Sequence, residues 1–391
     1  MLKILSEIQN FKGKRVLVRV DFNVPLKNKK VLDYARLTAS LPTLKYLQKK
    51  GAKVIVVAHI GRPEGKVVPE LSIAPIAKRL EKLLQKKVLV VANWTESKNK
   101  KKLENLKNGE VLMLENIRFF PGEEKNDPVF AKELASLADI FVLDGFAVAH
   151  RAAASVSGIA KYVLSYAGFL LEKEITQLDM ILSKPKKPFV AIIGGAKIET
   201  KFPVVKNILK IASTVLVGGA IVNDYWKAKG YGVGESLVSS QVKKNSFAAF
   251  SKKQVILPVD VVVGDRVGKK IRVVEIQKKA HEICGSNEAI LDIGPETIAL
   301  FSKHLSKAKT VVWNGAMGYF EVQVYAVGTF EIARRIAAQK TNFTLIGGGE
   351  TLEIMSLLKI SSKNYVISTG GGAMLEYLSH RKLPGVQVVQ K

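Results

Sequence analysis

The sequence predicts an α/β protein of two Rossmann-like domains, each built on a parallel sheet and joined by a hinge helix. Length is the first reason: 391 residues exceed the roughly 250–300 at which a single hydrophobic core stops growing. Composition agrees, since 47% hydrophobic residues suffice for two cores. The second reason is texture. Short apolar runs alternate with amphipathic helical patterns along almost the whole chain, the signature of parallel sheets covered by helices on both faces. The third is a long helical pattern in the middle that ends in Lys184-Pro185-Lys186-Lys187-Pro188, a natural boundary.

In chain order, Arg15–Val20, Lys53–Ala58, Lys87–Val91, Val111–Leu114 and Ile140–Leu143 read as buried strands. Ile73–Leu84 and Pro128–Ala138 read as helices between them. The middle pattern runs over Ser165–Ser183, so the domains are expected at 1–165 and 185–374 with a linking helix at 166–184. The second series of strands is Phe189–Ile193, Thr214–Val217, Val255–Leu257, Thr310–Trp313, Phe343–Ile346 and Tyr365–Ser368, with Phe330–Gln339 helical. The halves share architecture without a visible sequence repeat.

Bulk properties exclude several classes. No stretch approaches the ~20 unbroken apolar residues of a membrane span. Residues 1–10 carry Lys3 and Glu7 and lack the apolar run of a signal peptide, and Val388-Val389-Gln390-Lys391 is no peroxisomal address. The single cysteine, Cys284, forbids an intrachain disulfide and suits a reducing cytoplasm. Lys and Arg total 61 against 34 Asp and Glu, a net charge of +27 that attracts phosphorylated molecules. Aromatics are not interleaved with lysine runs such as Lys98-Asn99-Lys100-Lys101-Lys102, and zinc-finger and RNP spacings are missing, so no specific nucleic acid is expected. P-loop, G-x-G-x-x-G and protein-kinase signatures are absent too.

Ligands of open α/β sheets sit beyond the carboxyl ends of the strands. In the first half those ends deliver Asp21, Asn23 and Arg36; His59, Gly61 and Arg62; Asn116 and Arg118; and Asp144, His150 and Arg151. Four arginines at equivalent positions suit an anion with two or more negative charges, because guanidinium forks grip carboxylate and phosphate oxygens in pairs. In the second half the ends deliver glycines: Gly194-Gly195, Gly218-Gly219, Gly347-Gly348-Gly349 and Gly370-Gly371-Gly372. Glycine lets backbone approach a ligand, and a following helix N-terminus offers N–H groups to phosphate, so these turns point to a nucleotide. Lys197 and Lys201 lie one helical turn apart, where both could flank a phosphate chain.

The segments Val18-Arg19-Val20-Asp21-Phe22-Asn23-Val24-Pro25, His59-Ile60-Gly61-Arg62-Pro63, Leu114-Glu115-Asn116-Ile117-Arg118-Phe119, Gly194-Gly195-Ala196-Lys197, Leu257-Pro258-Val259-Asp260, Leu291-Asp292-Ile293-Gly294-Pro295, Val312-Trp313-Asn314-Gly315, Ser368-Thr369-Gly370-Gly371-Gly372-Ala373 and Leu383-Pro384-Gly385-Val386 resemble the phosphoglycerate kinase family, in order and over essentially the whole chain. The resemblance implies an N-terminal domain for 3-phosphoglycerate, a C-terminal domain for ATP or ADP with Mg²⁺, and a C-terminal tail, 375–391, that returns to the first domain. It assigns Asp21, Asn23, Arg36, His59, Arg62, Arg118 and Arg151 to the phosphoglycerate. Lys197, Lys201, Gly219, Glu321, Gly348, Gly349, Glu350 and Thr351 go to the nucleotide, and Glu350 also to the metal. Arg36, Lys197, Lys201 and the Gly372 amide are the expected stabilisers of the phosphoryl in flight. The attacking carboxylate is already ionised, so alignment, charge neutralisation and domain closure carry catalysis without a general base. A monomer is expected. A related small-molecule kinase, or a degenerate member whose basic surface binds nucleic acid, is the alternative.

The chain departs from the family pattern at four places. An aspartate after the triple glycine is Glu350, and Asn-Gly-Pro-Met-Gly-Val reads Asn314-Gly315-Ala316-Met317-Gly318-Tyr319. A second histidine after His-Arg is Ala153, and Asn-Asp-Ala-Phe-Gly reads Leu143-Asp144-Gly145-Phe146-Ala147.

Overall fold

The computed structural model describes residues 1–94, 96–196, 198–239, 244–277, 281–339, 343–360, 365–380 and 382–391. Lys197, one of the two lysines expected at the nucleotide, lies outside the described residues. The chain divides into two compact units, Met1–Gln177 with Lys382–Lys391, and Leu178–Arg381.

In the first unit β1 (Arg15–Arg19), β2 (Lys53–Val57), β3 (Val88–Val91), β4 (Val111–Leu114), β5 (Ile140–Leu143) and β6 (Ser165–Ala167) form one sheet in the order β3-β4-β2-β1-β5-β6. All its pairings are parallel. Val16, Leu17 and Val18 are buried in succession, as are Val54 to Val57, because both faces of these strands are covered. Helix α1 (Ala35–Lys49) and helix α2 (Ala74–Leu84) send Leu37, Leu44, Leu47, Ile76 and Leu80 into the core against Val16, Val18, Val54 and Val56.

The middle helical pattern needs one correction. Ser165-Tyr166-Ala167 is an edge strand on Phe141–Leu143, and α3 (Phe169–Ser183) begins only after Gly168. The helix start is fixed by side chains from elsewhere: Thr43 Oγ1 accepts the Phe169 N–H at 2.9 Å and Asp144 Oδ1 that of Leu170 at 2.9 Å. The boundary between the units falls inside α3, between Gln177 and Leu178.

In the second unit β7 (Phe189–Ile193), β8 (Thr214–Val217), β9 (Val255–Ile256), β13 (Thr310–Asn314), β14 (Phe343–Gly347) and β15 (Val366–Ser368) form another parallel sheet, ordered β9-β8-β7-β13-β14-β15. Its core gathers Val190, Ile192, Leu216, Val311, Trp313 and Ile346 with Phe301, Ile332 and Ile354 from helices. A separate antiparallel sheet, β11-β10-β12, joins β10 (Asp260–Gly264) to β11 (Ile271–Glu275) and β12 (Ala289–Ile293). Apolar runs did not reveal it: β11 is almost wholly exposed, and the buried β10 carries an apolar run of only three residues, Val261–Val263.

The helices that follow glycines on this sheet include α4 (Ile198–Ile208), α5 (Gly349–Leu357) and α6 (Gly372–Leu378). Helix α6 belongs to the second unit, where Met374 and Leu378 are buried, Tyr377 Oη donates to Asp179 at 2.6 Å, and Asn207 Nδ2 donates to the Ser379 carbonyl at 2.7 Å. The tail therefore rejoins the first unit at Lys382, not Leu375. There the Lys3 N–H donates to the Val389 carbonyl at 2.7 Å and the Gly385 N–H to that of Ala149 at 2.8 Å. No helix among the described residues is long and apolar enough to cross a membrane.

Candidate functional site

The carboxyl ends of β1, β2, β4 and β5 bring the expected anion-binding residues of the first unit together. Asp21 follows β1 and forms an ion pair with Arg36 on the first turn of α1. Asp21 Oδ1 also accepts the Asn23 N–H at 3.1 Å, and Asn23 Oδ1 accepts that of Gly61 at 3.0 Å, which ties the β1 and β2 loops to each other. Arg118 donates to the Gly61 carbonyl at 2.6 Å and pairs with Glu124 at 3.0 Å. Asn116 holds the turn before it, donating to the carbonyls of Ile60 at 2.8 Å and Leu71 at 2.9 Å. Arg62 is exposed and Arg151 half-buried. The charges feel one another: burial lowers the Arg118 pKa, and Arg151 and Arg62 lower it further, against Glu124 and Glu123.

Beneath this surface lies a charged network that sequence reasoning missed. Arg19, at the end of β1, is 2% exposed. It donates from Nε to Ser155 Oγ at 2.8 Å, to the Val20 carbonyl, and meets His59 Nδ1 at 3.2 Å. Glu123 is equally buried and accepts both the Ser155 N–H at 2.8 Å and its hydroxyl at 2.6 Å. Burial raises the Glu123 carboxyl pKa, and Arg19 opposes the shift. His59 is pushed well below its usual pKa of 6.5 by burial, then by Arg19, Arg118, Arg151 and Arg36. It is therefore a neutral ring among cations, and at 2% exposed it lies as deep as Arg19. The available signal was Arg19 itself, a guanidinium directly after the apolar run Val16-Leu17-Val18 and before Val20.

In the second unit the strand-end glycines meet. The Gly194 N–H donates to the Asn314 carbonyl at 2.9 Å, Gly195 to Ala316 at 2.7 Å and Gly219 to Met317 at 3.0 Å. Gly219 has φ +67°, and a Cβ there would lie 2.6 Å from the Gly195 nitrogen, so no side chain fits. Gly348, with φ +100°, packs against the Asn314 side chain. Together the loops wall a cavity of about 290 Å³ lined by Gly195, Gly219, Trp226, Tyr319, Glu321 and Glu350, among others. Trp226 and Arg266 also line it without having been marked by any motif, whereas Tyr319 belongs to the departing Asn314–Tyr319 segment.

Lys201, on α4, is 9% exposed and donates to Asn314 Oδ1. Burial pushes its pKa down to about 8, against the attraction of Glu350. Asn314 Nδ2 in turn donates to the Gly347 carbonyl at 2.9 Å. At the start of α5, Thr351 Oγ1 accepts the Gly315 N–H at 2.8 Å and Glu350 Oε2 that of Ala316 at 3.3 Å. Of the expected nucleotide residues, Gly219, Glu321 and Glu350 line the cavity, while Thr351 is fully buried in the wall behind it. Gly348 and Gly349 form the turn into α5, and Gly372 opens α6, exposed and with open space where a Cβ would stand. Among the described residues no three His, Cys, Asp or Glu side chains gather as a metal cage. Two exposed carboxylates, Glu350 and Glu321, line the cavity, which suits Mg²⁺, an ion commonly held by one or two carboxylates plus the substrate's phosphates.

Two parallel α/β units, one with an arginine-lined anion surface and the other with a glycine-built cavity and a buried lysine, define the class of small-molecule phosphotransferases. The family model for phosphoglycerate kinase matches residues 5–381. Phosphoglycerate kinases from Dictyoglomus turgidum and Moorella thermoacetica are 43% and 45% identical, over 98% and 99% of this chain and 97% and 98% of theirs. The solved phosphoglycerate kinase of Coxiella burnetii superposes with a TM-score of 0.85 at 37% identity, covering 100% of this chain and 99% of that one. That of Pyrococcus horikoshii gives 0.84 at 32% identity, covering 100% and 98%. The chain belongs to the phosphoglycerate kinase family.

Proposed function

We propose that this chain transfers a phosphoryl group reversibly between ATP and the carboxylate of 3-phosphoglycerate, giving ADP and 1,3-bisphosphoglycerate. The observation that carries the reading is the family match over residues 5–381. The first unit takes the phosphoglycerate on Asp21, Asn23, Arg36, His59, Arg62, Arg118 and Arg151. The second takes the nucleotide on Lys197, Lys201, Gly219, Glu321 and the Gly348–Thr351 turn. The helix start at Gly372 offers a backbone N–H to the transferring group, since the first amides of a helix lack internal partners.

The chemistry asks little of any side chain as a base. A carboxylate nucleophile is ionised at neutral pH, so the residues need only hold it in line and balance charge that spreads over the phosphoryl oxygens. Arg36 and Lys201 supply fixed positive charge, and the Lys201 ammonium, partly stripped of water, acts more strongly than it would in solution. Magnesium bound with the nucleotide would neutralise phosphate oxygens, held on the protein side by Glu350. A coupled assay settles the reading: purified protein with MgATP and 3-phosphoglycerate should yield 1,3-bisphosphoglycerate, consumed by an added dehydrogenase with NADH. Folded protein without turnover above background would reject it.

A further inference from the structure

We propose that the backbone N–H of Ala316 positions the Glu350 carboxylate in the nucleotide cavity, and that these two residues form a matched pair setting the site's magnesium requirement. The inference rests on the nucleotide reading above and goes one residue deeper. Glu350 stands on the first turn of α5 and is exposed, so its side chain has several conformers to choose from. One contact narrows the choice: Oε2 accepts the N–H of Ala316 at 3.3 Å, across from the loop after β13. The carboxylate then lies over Gly195, 3.2 Å from where a Cβ would stand, while Lys201 Nζ lies 3.7 Å from the same point. Beside it the Gly315 N–H donates to Thr351 Oγ1 at 2.8 Å, so two successive amides of one loop grip two successive side chains of one helix.

The contact joins two residues at which this chain departs from the pattern it resembles. A proline at 316 has no N–H to give, and an aspartate at 350 is a methylene shorter. Alanine supplies a donor and glutamate supplies the reach to meet it. Either change made alone would leave a group without its partner: Ala316 facing a carboxylate too short, or Glu350 with no amide to fix it. Magnesium tolerates little error in the position of an oxygen ligand, so a carboxylate held by an amide binds it better than one that swings.

The test is a double-mutant cycle on the full chain, read by calorimetry of ADP with and without Mg²⁺, with circular dichroism as the check on folding. Ala316→Pro should weaken MgADP by about tenfold or more, the loss of one hydrogen bond to a charged group. Its effect on magnesium-free ADP should be small, which a merely distorted cavity would not give. In a Glu350→Asp background Ala316→Pro should cost nothing further, and Ala316→Gly, which keeps the N–H, should retain most of the MgADP affinity. Additive losses in the cycle, with the parent binding MgADP normally, would overturn the pairing and leave the functional reading standing. A parent that binds no MgADP would overturn both. Should Ala316→Pro fail to fold, the amide resonance of Ala316 decides: it should move upfield in Glu350→Ala, and an unmoved resonance refutes the contact.

Discussion

Replacing Lys201 with methionine should make the second unit more stable and its nucleotide site worse. Burial pushes the Lys201 pKa from 10.5 to about 8, with Glu350 opposing. An unfolded chain therefore binds this proton more tightly than the folded one between about pH 8 and 10.5, so the lysine's penalty is complete below pH 8 and fades as pH rises. Integrated over the shift, the penalty is about 3 kcal/mol near pH 7.5 and about 1 kcal/mol near pH 9.5. Methionine removes it but leaves Asn314 Oδ1 without its ammonium donor, a loss of about 1–2 kcal/mol. The net gain near neutrality is thus about 1–2 kcal/mol, and the stability difference between variant and parent should shrink by about 2 kcal/mol between pH 7.5 and 9.5 whatever the Asn314 term. Urea unfolding of both proteins at the two pH values measures it. ADP calorimetry should show the opposite trend, weaker binding in Lys201→Met and in the parent as its own ammonium titrates. A stability difference that does not change with pH would refute the assignment of the shift to burial.

Arg36→Ala should lower kcat by about 10²-fold with native circular dichroism, as removal of a charge-stabilising donor does; a raised KM with unchanged kcat would make Arg36 a binding residue only. Calorimetry should find 3-phosphoglycerate weakened by Arg62→Ala and ADP weakened by Lys201→Ala, each with little effect on the other ligand. His59 titrates well below 6.5 in the folded chain, so the unfolded chain takes up the proton first and stability falls as pH drops through 6.5. His59→Gln should lessen that acid sensitivity in urea unfolding at pH 7 and 5. Glu123→Gln removes the carboxylate that most favours the buried Arg19 charge and should destabilise the chain in urea unfolding, with Arg19→Met recovering part of the loss in the double variant.

The sheets were legible because burial on both faces forces continuous apolar runs: Val111–Leu114 and Ile140–Leu143 are strands at the residues the runs mark. What escaped has a physical reason in each case. Ser165-Tyr166-Ala167 is too short and mixed to be told from the helix it precedes, and only its pairing with Phe141–Leu143 makes it a strand. Of the antiparallel sheet, Ile271–Glu275 escaped because it faces water, and the buried Asp260–Gly264 because its apolar run, Val261–Val263, is only three residues long. At the candidate site, residues at strand ends could be named because the fold sets their location. Their supports could not: Glu123 follows Pro121-Gly122 in a short helix and meets Ser155 thirty-two residues on, a contact made by tertiary packing alone. Asn314 escaped as the partner of Lys201 for the same reason, being 113 residues away.

The first unit's surface is built with more positive charge than it neutralises. Arg19, Arg36, Arg118 and Arg151 all act on His59, and Arg118, disfavoured first by burial, is disfavoured further by Arg151 and Arg62 while Glu124 and Glu123 oppose. Such a cluster costs stability in the free protein, and the cost is relieved by an anion that several guanidinium groups can share. Arg36 is held by Asp21 and Arg118 by Glu124, so each has a countercharge to exchange for a ligand's. Arg118, 4% exposed, is nearly as buried as Arg19 at 2%, so the division lies in the partners rather than in depth. Arg118 pairs with a carboxylate that reaches water, whereas Arg19 is committed to His59 and Ser155. It follows that 3-phosphoglycerate should raise the thermal stability of the parent by more than that of Arg118→Ala, even at saturating ligand, because part of the stabilisation is repulsion relieved.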